Sequence, residues 1–531
     1  MRHGTCGAGA IVATLVLVAS LAWVGSAAGQ VPGVPVLPIP QNPLESAAVA
    51  PFEGTTAIPN PVDGEPPPRN PFMGPNPFNN IHDDPYMSGT YRIPGPLGDG
   101  AEPSSLFSRE CGSLMFDSAG RIVTVCVGLD LPVLALLDPN TLQTLAAMPL
   151  PLRNLAGGNP FTDFSGGGYF YLDNRDRAVI PTNDRHILVV GIVSGPRFAV
   201  AADYDLSGRI PQGEGIVSVL PDWSGRLWFV TRGGAVGTIN RGDGSVKTMR
   251  LAGEGISNSF AVDETGGVFI VSDEALYRFD AGPSGGPQVS WRIVYPNSGI
   301  HKPGQSDAGS GTTPDLMGRK WVAIADNADP MNVVVYRRAK RLKRAKGRKH
   351  GRAAERRRAK AKQRLVCSAP VFARGASATD NSLISTNRTL IAENNYGYAV
   401  SLGDLSGGVT APGLTRIDVV PRKAKKGGNG KKMKEPKRFR CRTVWTSDER
   451  APSVVPKLSL ANGLVYTYTH PVRSDGIDAW YLTALDFRTG RTVYRRLAGT
   501  GFGFNNNYAP VTLGPDGSAY VGVLGGVVTF R

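Results

Sequence analysis

After about residue 100 the chain alternates short apolar runs with clusters of Gly, Asp, Asn and Pro. The runs RIVTVCV (121–127), HILVVGIV (186–193), RLWFVT (226–231), GVFIVS (267–272), KWVAIA (320–325), TLIAEN (389–394), GLVYTYT (463–469) and SAYVGV (518–523) are rich in Val, Ile, Tyr and Thr. Their composition and length predict strands. A turn precedes each run: DSAGR, TNDRH, DWSGR, DETGG, LMGRK, STNRT, LANGL and GPDGS, near residues 119, 183, 224, 265, 317, 387, 462 and 516. Gly, Asn and Asp accept the positive φ of hairpin turns. Outside two basic stretches no window carries helical periodicity.

Two turn spacings, 183 to 224 and 224 to 265, are each 41 residues. That is the size of a four-stranded propeller blade, a unit that buries its faces only against neighbours. The expected fold is therefore an all-β propeller of four-stranded antiparallel sheets. Eight turns favour eight blades, with seven the alternative. The last repeat shows only three strands (YAPVTL, SAYVGV, GGVVTFR), so a strand from about 86–96 is expected to close the ring.

The N-terminus is of another kind. Basic Met1–His3, an apolar run IVATLVLVASLAWV and small residues ending at Ala28 read as a secretory signal peptide over 1–29. The apolar run has about 14 residues, short of the roughly 20 that span a bilayer. Residues 31–100 hold 17 of the 42 prolines. Proline fixes φ and removes a donor, so about 31–70 reads as an extended spacer. The segment from Asn70 to Gly98, with Phe72, Phe78, His82, Asp83, Asp84, Tyr86 and Tyr91, is expected to dock on the body. The chain thus divides into a leader (1–29), a Pro-rich segment (30–100) and the propeller (101–531).

Four cysteines follow the leader, an even number that suits an oxidising compartment. If Phe116 faces Ile122 across the 117–120 turn, Cys111 falls within one residue of facing Cys126. Cys367 and Cys441 each follow a basic stretch at the start of a returning strand, and the second expected pair joins them.

The formal net charge of +16 is local. Residues 337–364 hold 16 Lys or Arg and residues 421–442 hold 11, with one acid in each. The remainder carries 32 basic and 41 acidic residues, a net of −9. Each stretch lies between a strand and its return, so each is an elongated hairpin tip. The residues expected to bind anions are Arg341, Lys343, Arg344, Arg356, Arg357, Arg358, Lys425, Lys426, Lys431 and Lys432. An anionic envelope polymer or lipid surface is the expected partner. Nucleic acid is not expected, since aromatics for stacking are scarce in these stretches. A tolerated surface insertion is the other reading.

The segments LDPNTLQTLAAMPLP (137–151) and WYLTALDFRTGRTVYRRLAG (480–499) resemble the outer-strand signature of propellers with quinoprotein-alcohol-dehydrogenase-like (PQQ-like) repeats. In that pattern Asp486, Thr489 and Gly490 tie a turn. The resemblance implies fold, not redox chemistry, because the vicinal cysteine pair of the quinone-binding members is absent.

No nucleophile elbow, HExxH, Walker loop or EF-hand is present. Arg241, Gly242 and Asp243 form an RGD triplet that reads as a hairpin tip. Oxygen-rich clusters recur at strand ends: Asp173 and Asn174, Asp326 and Asn327, Glu393 and Asn394, and Asn506, with Tyr396 and Tyr508 nearby. Converging on a central channel, they would suit Ca²⁺, and they are similar in kind to the channel residues of calcium-dependent lactonase-like propellers. Side-chain turns with their own backbone are the other account. The sequence leaves a secreted, monomeric binding or structural module as the leading function. A Ca²⁺-dependent hydrolase is the rival, and a quinone-dependent dehydrogenase the weaker one.

Overall fold

A computed structural model of the chain describes residues 35–128, 131–152, 163, 165–342, 364–399, 407–422 and 438–531. The leader 1–29 lies outside these residues. The described chain is an eight-bladed β-propeller, with one short helix, Pro43–Ala48, and one helical turn, Phe502–Phe504. Blades 1 to 7 each take four consecutive strands, beginning at Glu110, Tyr171, Ile216, Ala261, Asp315, Ile384 and Lys457. Seven of the eight apolar runs named above are second strands, and HILVVGIV is a third strand.

Burial follows position. First strands such as Ile216–Pro221 and Val511–Leu513 are buried at every residue, whereas the fourth strand Arg197–Asp205 has only exposed and half-buried residues. First strands therefore line the centre and fourth strands the rim. Because neighbours run antiparallel, the first turns of all eight blades and the third turns of blades 1 to 7 share one face of the disk, called here the turn face. The second turns and the blade-to-blade connections share the opposite face.

Blade 8 has three C-terminal strands, Val511–Leu513, Ala519–Val523 and Gly526–Phe530, and its fourth is Ser104–Phe107. The N-terminal side of the chain closes the ring as expected, but with residues 104–107 in place of 86–96. Thr90–Tyr91 instead pairs in parallel with the innermost strand of blade 7, inside the ring. Blade 7 gains a further outer strand, Phe52–Gly54.

The proline-rich segment is a strap on the body and not a free spacer. Ile39, Val49 and Ala57 are buried against blades 7 and 8. The amides of Asn60 and Val62 then bond the first turn of blade 7, and Asn387 of blade 6 bonds Glu65 and Asp63. A proline-rich chain cannot supply a central strand, but its carbonyls and the amides between prolines still bond a finished sheet.

Both expected disulfides are formed, Cys111–Cys126 and Cys367–Cys441. The register explains the first. Phe116 does face Ile122, and a bulge at Gly112 absorbs one residue so that Cys111 faces Cys126. The second joins the outermost strands of blades 5 and 6, Leu365–Pro370 and Phe439–Ser447.

Candidate functional site

The innermost strand of a blade presents unpaired N–H and C=O groups to the channel. Residues 70–91 satisfy many of them. The amides of Val262, Leu316, Ser385 and Leu458, in blades 4 to 7, donate to the carbonyls of Pro85, Tyr86, Ser88 and Gly89 at 2.8–3.0 Å. Blade 2 is bound through Leu172, whose amide donates to Asn79 and whose carbonyl accepts from Gly74. The segment is a plug bonded to the inner strands of five blades.

The plug carries ionisable side chains into the interior. Asp83 pairs with Lys457 at 2.8 Å, and both are buried. Burial pushes Asp83 up to about 6 although Lys457 opposes the shift. Burial, with Asp83 adjacent, pushes Asp84 up to about 7. Asp315, on the innermost strand of blade 5, is held well above the carboxylate range by burial and by Asp84. His82 is driven well below 6.5 by burial and by Lys457, and its Nε2 lies 3.1 Å from the Thr313 hydroxyl.

On the opposite face the plug borders a cavity of about 260 Å³. Ile81 and His82 of the plug line it together with Tyr169, Asp380, Phe502 and Tyr508. Tyr508 has φ 59°, a conformation costly for a side-chain-bearing residue. Its ring meets Tyr398 edge-on at 5.4 Å. Burial pushes Asp380 up to about 7.

These shifts set a pH dependence. The folded chain holds protons on Asp83, Asp84, Asp315, Asp326, Asp380 and Glu393, which the unfolded chain releases near pH 4. Their stabilisation is complete below the unfolded pKa and is lost as pH rises through 6 to 7 and beyond. His82 acts in the opposite sense, since its depressed pKa stabilises only above about 6.5. Six groups outweigh one, so the melting temperature at about pH 5.5 is expected to exceed that at about pH 8. A rise in melting temperature over that interval would overturn the assignment. Asp84→Asn should flatten the slope.

The oxygen-rich clusters are divided between the two faces. Asp173 and Asn174 sit in the first turn of blade 2, on the turn face. Asp326, Asn327, Glu393, Asn394 and Asn506 are on the opposite face, in the second turns of blades 5 and 6 and the connection into blade 8. Each is engaged in hydrogen bonds with the protein, some within its own turn and some across elements. Asp173 accepts from the amides of Arg175 and Arg177, and Asp326 from those of Ala328 and Asn332. Glu393 is buried, accepts from Asn381, Asn395 and Thr467, and is raised well above its ordinary range by burial. Asn174 donates to Pro71, Asn327 to Ile300, Asn394 to Pro412, and Asn506 to Gly522. Among the described residues no three of His, Cys, Asp or Glu gather as ligands for one ion. Of the two tyrosines named with the clusters, Tyr508 lines the cavity and Tyr396 does not.

The stems of the two basic stretches end on the turn face. The strands flanking residues 337–364 are the third and fourth of blade 5, and those flanking 421–442 are the third and fourth of blade 6. Both pairs of flanking strands therefore end on the same face, in consecutive blades. Arg341 is exposed beside one stem. Lys343, Arg344, Arg356, Arg357, Arg358, Lys425, Lys426, Lys431 and Lys432 lie outside the described residues. Two arginines at the ends of the first stretch are not surface charges. Arg338 is buried, reaching Asp263 at 2.6 Å and the Tyr86 hydroxyl at 2.9 Å, and Arg364 caps the carbonyls of Arg337 and Ala339. The charge run concealed this duty.

An uncharacterised protein of Archaeoglobus fulgidus is 30% identical over 331 residues, covering 60% of this chain. The chain spans 61% of that relative's length. No family profile matches the chain. Among solved structures, BamB from Moraxella catarrhalis is 13% identical with a TM-score of 0.36, over 66% of this chain and 94% of its own. The dihydro-heme d1 dehydrogenase NirN in complex with DHE is 12% identical with a TM-score of 0.43, over 79% of this chain and 71% of its own.

Proposed function

We propose that the protein is an exported binding module held at an anionic envelope surface by its turn face. The observation that carries this reading is the shared exit of the two basic stretches from third turns of blades 5 and 6, whose outermost strands are joined by Cys367–Cys441. Between the stems, residues 343–363 and 423–437 hold 18 Lys or Arg against two Glu. Each cation near an anionic lipid surface is worth about 1 kcal/mol, so a few simultaneous contacts suffice for attachment. Two disulfides support an oxidising compartment, and no described helix is long and apolar enough to cross a membrane.

Kinship with PQQ-like repeats is part of the same proposal. It is supported by the tied turn Asp486–Gly490, where Asp486 accepts from the amides of Arg488 and Thr489 and from the Thr489 hydroxyl. Asp138 and Thr141 repeat the arrangement in blade 1, with Leu142 at φ 59° in the place of Gly490.

The test replaces the Lys and Arg of 343–363 and 423–437 by Ser. It spares Arg338 and Arg364, whose loss would damage the body. Retention on anionic vesicles at low salt should be lost while the melting temperature holds. Equal retention by the neutralised protein would overturn the reading.

A further inference from the structure

A second basic feature opens on the turn face at blades 2 to 4. It is a groove of about 710 Å³ lined by blades 2 and 3 and by the third turn of blade 4. Arg175, Arg177, Arg226, Arg241 and Lys247 line it, and among the described residues no Asp or Glu does. Two buried carboxylates behind the lining hold three of the guanidinium groups. Asp173 takes Arg177 at 2.6 Å and Arg241 at 3.4 Å. Asp222 takes Arg226 at 3.1 Å. Asp173 and Asp222 are 0% and 5% exposed, whereas the three arginine side chains keep 21–27% exposure. The carboxylates therefore fix the guanidinium groups without closing the groove, and the five cations exceed the two acids by three. Anchored guanidinium groups of this kind are preorganised for an oxyanion.

The rest of the lining is not that of a bare phosphate site. Phe72 and Tyr204 contribute aromatic surface, and Asn240, Ser245 and Thr238 contribute amide and hydroxyl groups. Phe72 lies at the start of the plug segment and is held in place by its neighbours. Asn70 bonds Pro221, Asn174 bonds Pro71, and the Phe72 ring lies over Gly225, where a Cβ would come within 2.7 Å of it. Aromatic faces, polar side chains and fixed cations together match a sugar chain that bears oxyanions.

We propose that this groove binds an acidic oligosaccharide. The aromatic surface packs on sugar rings, and Arg177, Arg226 and Arg241 meet the carboxylate or sulfate groups. Arg175 and Lys247, at the exposed edge, add attraction. The site is independent of the envelope reading, because no groove residue lies in 337–364 or 421–442.

The test is calorimetric titration of the full chain with tetragalacturonate, a sulfated tetrasaccharide, a neutral tetrasaccharide and a single-stranded oligonucleotide of matched charge. Either acidic sugar, or both, should bind, and which of them does names the oxyanion. Arg175→Glu with Lys247→Glu should weaken binding at least about tenfold, because two attractive contacts become repulsive. Both residues are exposed, so the melting temperature should hold. Phe72→Leu keeps a side chain over Gly225, loses the aromatic face, and should weaken binding several-fold. The protein neutralised in 343–363 and 423–437 should bind the tetrasaccharide as the wild type does. Unchanged affinity after the double charge reversal would overturn the site. Tighter binding of the oligonucleotide, lost with the same substitutions, would overturn its assignment to sugars. Loss of tetrasaccharide binding on neutralising the loops would also overturn it, while leaving the envelope reading intact.

Discussion

Lys457→Met is expected to destabilise the protein by about 3–5 kcal/mol, the usual cost of removing one partner of a buried ion pair. Lys457 opens the innermost strand of blade 7 and is 0% exposed. Its ammonium donates to the Ile81 carbonyl and to Asp83, each at 2.8 Å. Methionine fills the space but leaves both acceptors without that donor. It also removes the cation that opposes the upward shift of Asp83. Asp83 must then take a proton to remain buried, so the deficit should be smaller at about pH 5 than at about pH 8. Adding Asp83→Asn removes the orphaned charge and should restore most of the loss. Denaturant midpoints give the energy, and amide exchange over 81–91 gives the location, because the plug should open before the blades. A cost below about 1 kcal/mol for Lys457→Met alone would show that the pair does not hold the plug.

Much of the ring could be read from its turns, and the exception is instructive. DSAGR, DWSGR, DETGG, LMGRK, STNRT, LANGL and GPDGS are all first turns of blades. TNDRH is the second turn of blade 2, so the spacing of 41 from it to DWSGR joined unlike positions. The true first turn there is DNRDR, residues 173–177. It has no glycine, and Asp176 takes the positive φ at 55°. With an innermost strand of only two residues, Tyr171–Leu172, neither turn composition nor strand length marks the start of that blade.

The plug was half legible. Its aromatics and acids pointed to docking, but a segment that bonds five different blades has no period of its own. The recurrence of the oxygen-rich clusters has a related origin. Second strands of successive blades end in similar turns because the blades repeat, and Asp326 and Glu393 recur at such ends. Repetition around a ring places equivalent residues apart by rotation, and it brings them together only when they reach the axis. The groove between blades 2 and 3 was invisible for the converse reason. Its cations come singly from separate turns, while the two dense runs dominated the charge pattern, one of them including the buried Arg338.

The larger of the two disulfide effects should come from the bridge at the basic stems. Cys367 and Cys441 are 74 residues apart, and Cys111 and Cys126 only 15. Closing the longer loop removes more freedom from the unfolded chain, about 4 kcal/mol in the chain-entropy account against about 3 kcal/mol for the shorter. A second contribution acts in the folded state. The bridge holds side by side two fourth strands that return from tips carrying 18 Lys or Arg against two Glu, and unbridged strands would be pushed apart by that charge. Salt shortens the reach of the repulsion from about 10 Å at 0.1 M to about 3 Å at 1 M. Cys367→Ala with Cys441→Ala should therefore lower stability by about 4 kcal/mol or more at low salt, and by less at 1 M. Cys111→Ala with Cys126→Ala should show a smaller loss that salt hardly changes. Amide exchange should place the first loss in the fourth strands of blades 5 and 6. Equal salt dependence for the two pairs would leave loop closure as the whole effect and remove the charge argument.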